Sequence, residues 1–169
     1  WFLPTRTFVE GSGHDGEAVG AGTTGVDDAF AARTHHGIGA EIMGRGKFGP
    51  QVGPWEDLAW EGWWGSEPPF HSPVLVLTHH ERPDLVLGDT TFTFRDLAPA
   101  DALALAADLA GGLDVRLGGG PSTVRAFLEA DLVDEMHLVV SPVVLGRGVR
   151  LWDGLEGLEE RFSIESTAS

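Results

Sequence analysis

Leu113-Asp114-Val115-Arg116-Leu117, then Gly118-Gly119-Gly120, then Pro121-Ser122-Thr123, is the stretch on which the fold turns. The first five residues read as a strand and the glycines as a tight turn. Pro121 and Ser122 suit the opening of a helix that runs to about Ala130. Strand, glycine turn and helix together make half of a parallel βαβ unit. Working outward, residues 99–110 are an Ala/Leu helix with Leu103, Ala106, Ala107 and Leu109 near one face, closed by Gly111-Gly112. Thr90-Thr91-Phe92-Thr93-Phe94 is a β-branched and aromatic strand. Val74-Leu75-Val76-Leu77-Thr78 is an apolar run of the kind buried on both faces of a parallel sheet. Gly39-Ala40-Glu41-Ile42-Met43 reads as a short buried strand. Leu138-Val139-Val140-Ser141-Pro142-Val143-Val144-Leu145 reads as a further strand, which Pro142 bends or confines to an edge. Alternating strands and helices predict a three-layer α/β fold with a mostly parallel central sheet flanked by helices.

The remainder is less regular. Residues 1–25 carry Gly11-Ser12-Gly13 and Gly20-Ala21-Gly22 and are expected to form a flexible N-terminal loop, ahead of one domain over 26–169. From Val26 a helix is expected, with Asp27 as its cap, Ala29, Phe30 and Ala32 on its apolar side, and Gly37 and Gly39 ending it. Residues 50–73 hold Trp55, Trp60, Trp63 and Trp64 among prolines without a sustained period, which predicts a long covering loop with a short helix. Loops of that length inside domains are often functional.

Composition narrows the function. The 169 residues fit one domain, and 26 acidic against 11 basic side chains give a net charge of −15. That balance repels nucleic acid and anionic membranes, and the ten arginines and single lysine form no basic run. With no cysteine there is no disulfide, thiolate metal site or cysteine nucleophile. No apolar run is long enough to cross a bilayer and no signal-peptide pattern is present, so a soluble cytoplasmic protein is expected. His35-His36 and His79-His80 are adjacent pairs whose side chains diverge, and both HxH and HExxH are absent, so no metal site is assigned. No GxSxG elbow supports a serine hydrolase. Glycine, at 24 residues, is about twice its average usage of roughly 7%. Its placement therefore decides what it means.

Gly118, Gly119 and Gly120 allow a ligand close to the backbone, and the free N–H groups and dipole of the following helix suit a pyrophosphate. Tight strand-to-helix turns also want glycine, so both readings stand. The sequence is neither GxGxxG with an acidic ribose ligand nor a Walker loop. In Met43-Gly44-Arg45 a guanidinium follows a small residue at a strand end, where it can pair with a phosphate; a solvated surface arginine is the plainer account. Thr78-His79-His80 ends another strand at the edge where ligands of α/β sheets collect. Asp28 either complements the helix dipole beside Asp27 or points into the cleft as a carboxylate fit for proton relay.

In order and spacing these blocks, with Phe127-Leu128-Glu129-Ala130-Asp131-Leu132-Val133-Asp134-Glu135-Met136-His137-Leu138 and Ser141-Pro142-Val143-Val144-Leu145-Gly146-Arg147-Gly148, resemble the dihydrofolate-reductase-like superfamily, nearest the RibD C-terminal reductase domain of riboflavin biosynthesis. The likeness spans residues 26–152. It implies a dihydrofolate-reductase-like fold with NADPH across the strand ends: the pyrophosphate at Gly118, Gly119 and Gly120 with Ser122 and Thr123, and the 2′-phosphate near Gly44, Arg45, Thr78 and His79. It aligns Asp28 with the pterin-binding carboxylate of dihydrofolate reductases. It further implies a homodimer with residues 138–145 as a candidate contact.

The family's early strand ending in Ser-x-Asp-Gly has no counterpart before His14-Asp15-Gly16, and a last strand is expected where the chain stops. The first and last strands are thus expected to be missing. The activity implied is NADPH-dependent reduction of a small heterocycle or ribosylamino-pyrimidine. The competing expectation is a non-catalytic nucleotide-binding or scaffold protein that keeps the fold.

Overall fold

A computed structural model describes residues 24–34, 36–140 and 143–166. The loop expected over 1–25 lies outside the described residues except for its last two. Five strands form one sheet in the order β3-β4-β2-β1-β5: β1 (Ile38–Gly44), β2 (Pro73–Leu77), β3 (Leu85–Leu87), β4 (Thr90–Arg95) and β5 (Asp114–Gly119). β1 runs parallel to both β2 and β5, and β2 is parallel to β4; only the short β3 is antiparallel. The α/β, mostly parallel architecture expected from the sequence is therefore present. Parallel pairing gathers the carboxyl ends of β1, β2, β4 and β5 on one edge, and among the described residues four α-helices accompany the strands: α1 (Val26–Arg33), the single turn α2 (Arg45–Phe48), α3 (Pro99–Ala110) and α4 (Pro121–Glu129).

Alternation along the strands sends side chains to two cores. Ala40, Ile42 and Leu75 pack with Ala102, Ala106 and Ala110 of α3 and Phe127 of α4. The small residues of α3 let it lie close, and at Gly39 a Cβ would stand 2.3 Å from the Ala110 carbonyl oxygen. Met43, Val74, Val76, Phe92 and Phe94 face the opposite side, where Phe48, Phe70 and the tryptophan-rich loop cover them. Phe48 sets its edge against Phe92 and Phe94 at 5.2 and 5.0 Å between ring centroids. Burial of each such ring contributes roughly 1.5–3 kcal/mol. Residues 50–72 thus stay ordered through ring contacts without secondary structure of their own: Trp55 meets Phe94, Trp64 meets Phe70, and Trp60 donates its indole N–H to the Phe48 carbonyl at 3.1 Å. A third cluster, Leu128 with Leu155 and Leu158, seats the C-terminal segment on α4.

Four expectations need correction. The short helix assigned to the long loop lies before it, as α2. Asp27 does not cap α1, whose N-cap position is Gly25 with no side-chain cap; both Asp27 and Asp28 sit in the first turn, and the helix ends at Arg33. β5 continues through Gly118 and Gly119, so the turn is shorter than three glycines. Finally, residues 138–140 and 143–145 form no strand, and their side chains are open to solvent, Val144 at 96% and Leu145 at 80%. High β propensity needs a neighbouring strand to act on, and these residues have none among those described. The stretch expected to make a strand at a dimer contact is therefore irregular.

Candidate functional site

The site is built where β1 and β5 end side by side, with Met43 in register with Gly119. α4 starts at once, with Gly120 as N-cap, so no N-cap side chain accepts from the first-turn N–H groups of Ser122 and Thr123. A Cβ on Gly120 would meet nothing within 4 Å, which leaves open space before this uncapped end. Gly119 has φ +107°, a conformation that favours glycine, and its peptide to Gly120 is cis. Gly44 touches the same place from β1: a Cβ there would stand 2.2 Å from Thr123 Oγ1 and 3.7 Å from the Gly120 nitrogen. Gly44, Gly119, Gly120 and Thr123 are thus brought together by the fold.

Gly118 serves a different neighbour. A Cβ on it would fall 2.1 Å from Glu41 Oε1 and 2.7 Å from Lys47 Nζ, so the bare backbone makes room for a buried ionic cluster. Glu41 accepts from Arg116 Nε at 2.9 Å, from Arg116 Nη2, and from Lys47 Nζ at 3.2 Å. Arg116 also donates to the Thr34 carbonyl at 3.0 Å, tying the end of α1 to β5. Asp28 lies buried on that helix.

Arg45 follows Gly44 and is half-buried, not a free surface arginine. Its guanidinium lies 3.8 Å over the Trp55 ring and donates to the Gly53 carbonyl, while among the described residues Nε and Nη2 are buried with no hydrogen-bond partner. Burial pushes its pKa below the ordinary arginine value, because the charged form loses hydration. Arg82 shares Trp55 at 5.1 Å and bonds the carbonyls of Leu58 and Trp60. Burial lowers its pKa as well, and the charge of Asp57 opposes that shift. At the end of β2, the Thr78 hydroxyl is engaged with the His80 backbone at 3.2 Å, and exposed His79 meets Asp96 at 3.0 Å. Ser122 is exposed in the first turn of α4.

This strand-edge site, on a five-stranded mostly parallel sheet, can be set beside known families, and the family model described as the RibD C-terminal domain matches residues 10–168. The chain belongs to the RibD C-terminal domain family. Comparison with curated proteins gave no significant match. RibD C-terminal domains have a dihydrofolate-reductase-like fold and are typically reductase-like. In this RibD C-terminal domain, sequence reasoning overlooked Glu41, Lys47, Arg116 and Arg82. A signal for two of them was present, since Glu41 and Arg116 each interrupt an apolar strand, and a charge in such a strand needs a partner. Among the described residues no group of three or more His, Asp or Glu could hold a metal ion. No helix among them is long and apolar enough to cross a membrane.

Proposed function

We propose that the protein is an NADPH-dependent reductase whose cofactor lies across the carboxyl ends of β1, β2 and β5. The observation that carries this reading is the open start of α4 at Gly119-Gly120 against Gly44, whose chain neighbour Arg45 has two buried donors that lack an acceptor among the described residues. Both features suit anionic oxygens. The N–H groups of Ser122 and Thr123, with the glycine backbone, would hold the diphosphate. Arg45 would take the 2′-phosphate, with Gly44, Thr78 and His79 around it. The chemistry such a cofactor supplies is hydride donation to a C=N or carbonyl carbon of a small heterocycle or ribosylamino-pyrimidine. The protein's part is to orient the ligands, exclude water and provide a proton, a role we assign to Asp28.

Titration with NADPH and with NADH, followed by nicotinamide fluorescence, tests the reading. Saturable NADPH binding with a rise in unfolding temperature is expected, and binding of neither nucleotide would end it. Binding without oxidation of the cofactor by dihydrofolate or an aminopyrimidine ribotide would instead mark a nucleotide-binding protein. Asp28→Asn keeps the shape and removes the transferable proton. It is expected to slow turnover while leaving NADPH affinity unchanged, and unaltered turnover would remove Asp28 from the proposal.

A further inference from the structure

The reading above makes no use of the ionic cluster beside the glycine turn. Glu41 has only 2% of its side chain exposed, and cations and hydrogen bonds take the place of water around it. Arg116 serves Oε2 through two nitrogens, and Lys47 serves Oε1. An ammonium has three donors. Among the described residues the acceptor Lys47 meets is Glu41, which leaves two N–H bonds for something else. The Lys47 side chain is 29% exposed, so the head group reaches solvent although Glu41 fixes it. The ring of Trp64 lies 6.0 Å from Nζ, and a Cβ on Gly119 would lie 4.0 Å from Lys47 Cδ. Lys47 is also the single lysine of a chain with net charge −15. A fixed cation beside the start of α4 makes this edge locally attractive to anions on a surface that otherwise repels them.

We propose that the Lys47 ammonium, held by Glu41 beside Gly118 and Gly119, binds an anionic oxygen of the ligand lying on that turn. The oxygen belongs either to the dinucleotide diphosphate or to a phosphate of the substrate, and in both cases the assignment rests on the reductase reading for the ligand's identity. Glu41 is a positioning residue, and Gly118 is required because any side chain would displace both charges.

The single lysine gives a direct test. Biosynthetic incorporation of lysine labelled with ¹³C at Cε leaves the ammonium and its three N–H bonds unaltered and yields one Cε resonance from the single lysine, which is followed on adding inorganic diphosphate, NADPH, and ribose 5-phosphate to NADPH-saturated protein. If the oxygen is the cofactor's, the resonance shifts with diphosphate and NADPH, and Lys47→Met weakens NADPH binding about tenfold while Lys47→Arg restores part of it. If it is the substrate's, NADPH affinity is unchanged in Lys47→Met and ribose 5-phosphate moves the resonance. A resonance unmoved by all three probes overturns the proposal, even if NADPH binds and the reductase reading survives. A shift with diphosphate in a protein that fails to bind NADPH supports the cation site and removes the reductase reading instead. The resonance of the unsubstituted protein decides the matter even if Lys47→Met does not fold.

Discussion

Arg116→Met is expected to lower the unfolding free energy by about 3 kcal/mol, the lower end of the range of ~3–5 kcal/mol for breaking a buried ion pair from one side. The loss arises from what stays behind. Glu41 remains in the core of the sheet with only Lys47 to meet it, and its Oε2 loses the donors that Arg116 supplied. Thr34 also loses the donor that ties the end of α1 to β5. The double variant Glu41→Leu with Arg116→Met removes the stranded charge, and Lys47 is exposed enough to turn its head group to solvent. The double variant is therefore expected to regain most of the stability lost by the single one, since apolar replacement of a buried pair is often neutral. Urea unfolding of wild type, single and double variants measures this. Equal losses in the single and double variants would show that packing of the arginine stem, not an uncompensated carboxylate, sets the cost.

The same pair marks how far the sequence could be read. β1, β2, β4 and β5 with α3 and α4 are legible because local patterns decide them: apolar runs for strands buried on both faces, glycine after a helix, proline at the start of one. β3 was missed although Gly88-Asp89 separates it from β4, a two-residue hairpin signal that three flanking residues make easy to overlook. Residues 138–145 fail in the opposite sense, since a pattern describes what a segment can do and not whether a neighbour is there to pair with it. Gly44 meets Gly120 and Thr123 because β1 and β5 lie side by side in the sheet. Glu41 and Arg116 are 75 residues apart, and the register that joins them is a property of the whole sheet. Arg45 was legible as a cation and not as a buried one, because its cover comes from Trp55 in a loop without periodicity.

Arg45→Met is expected to weaken NADPH binding about a hundredfold relative to NADH, the equivalent of two charge-assisted hydrogen bonds to one phosphate. Absolute affinity is the wrong readout. Arg45 also stacks at 3.8 Å on Trp55 and bonds the Gly53 carbonyl, and a cation held over an indole contributes roughly 0.5–2 kcal/mol. Its loss therefore loosens the loop for both nucleotides alike. The ratio of the two dissociation constants cancels that shared effect and isolates the 2′-phosphate. The proposed phosphate contact rests on two observations: among the described residues Nε and Nη2 are buried without an acceptor, and desolvation already disfavours the charge that an anion would restore. Arg45→Lys keeps the charge without the planar fork, and it should retain a part of the preference for NADPH. A ratio unchanged in both variants, with the fold intact by circular dichroism, would mean that Arg45 only anchors Trp55, and the phosphate would then have to be sought at Thr78 and His79.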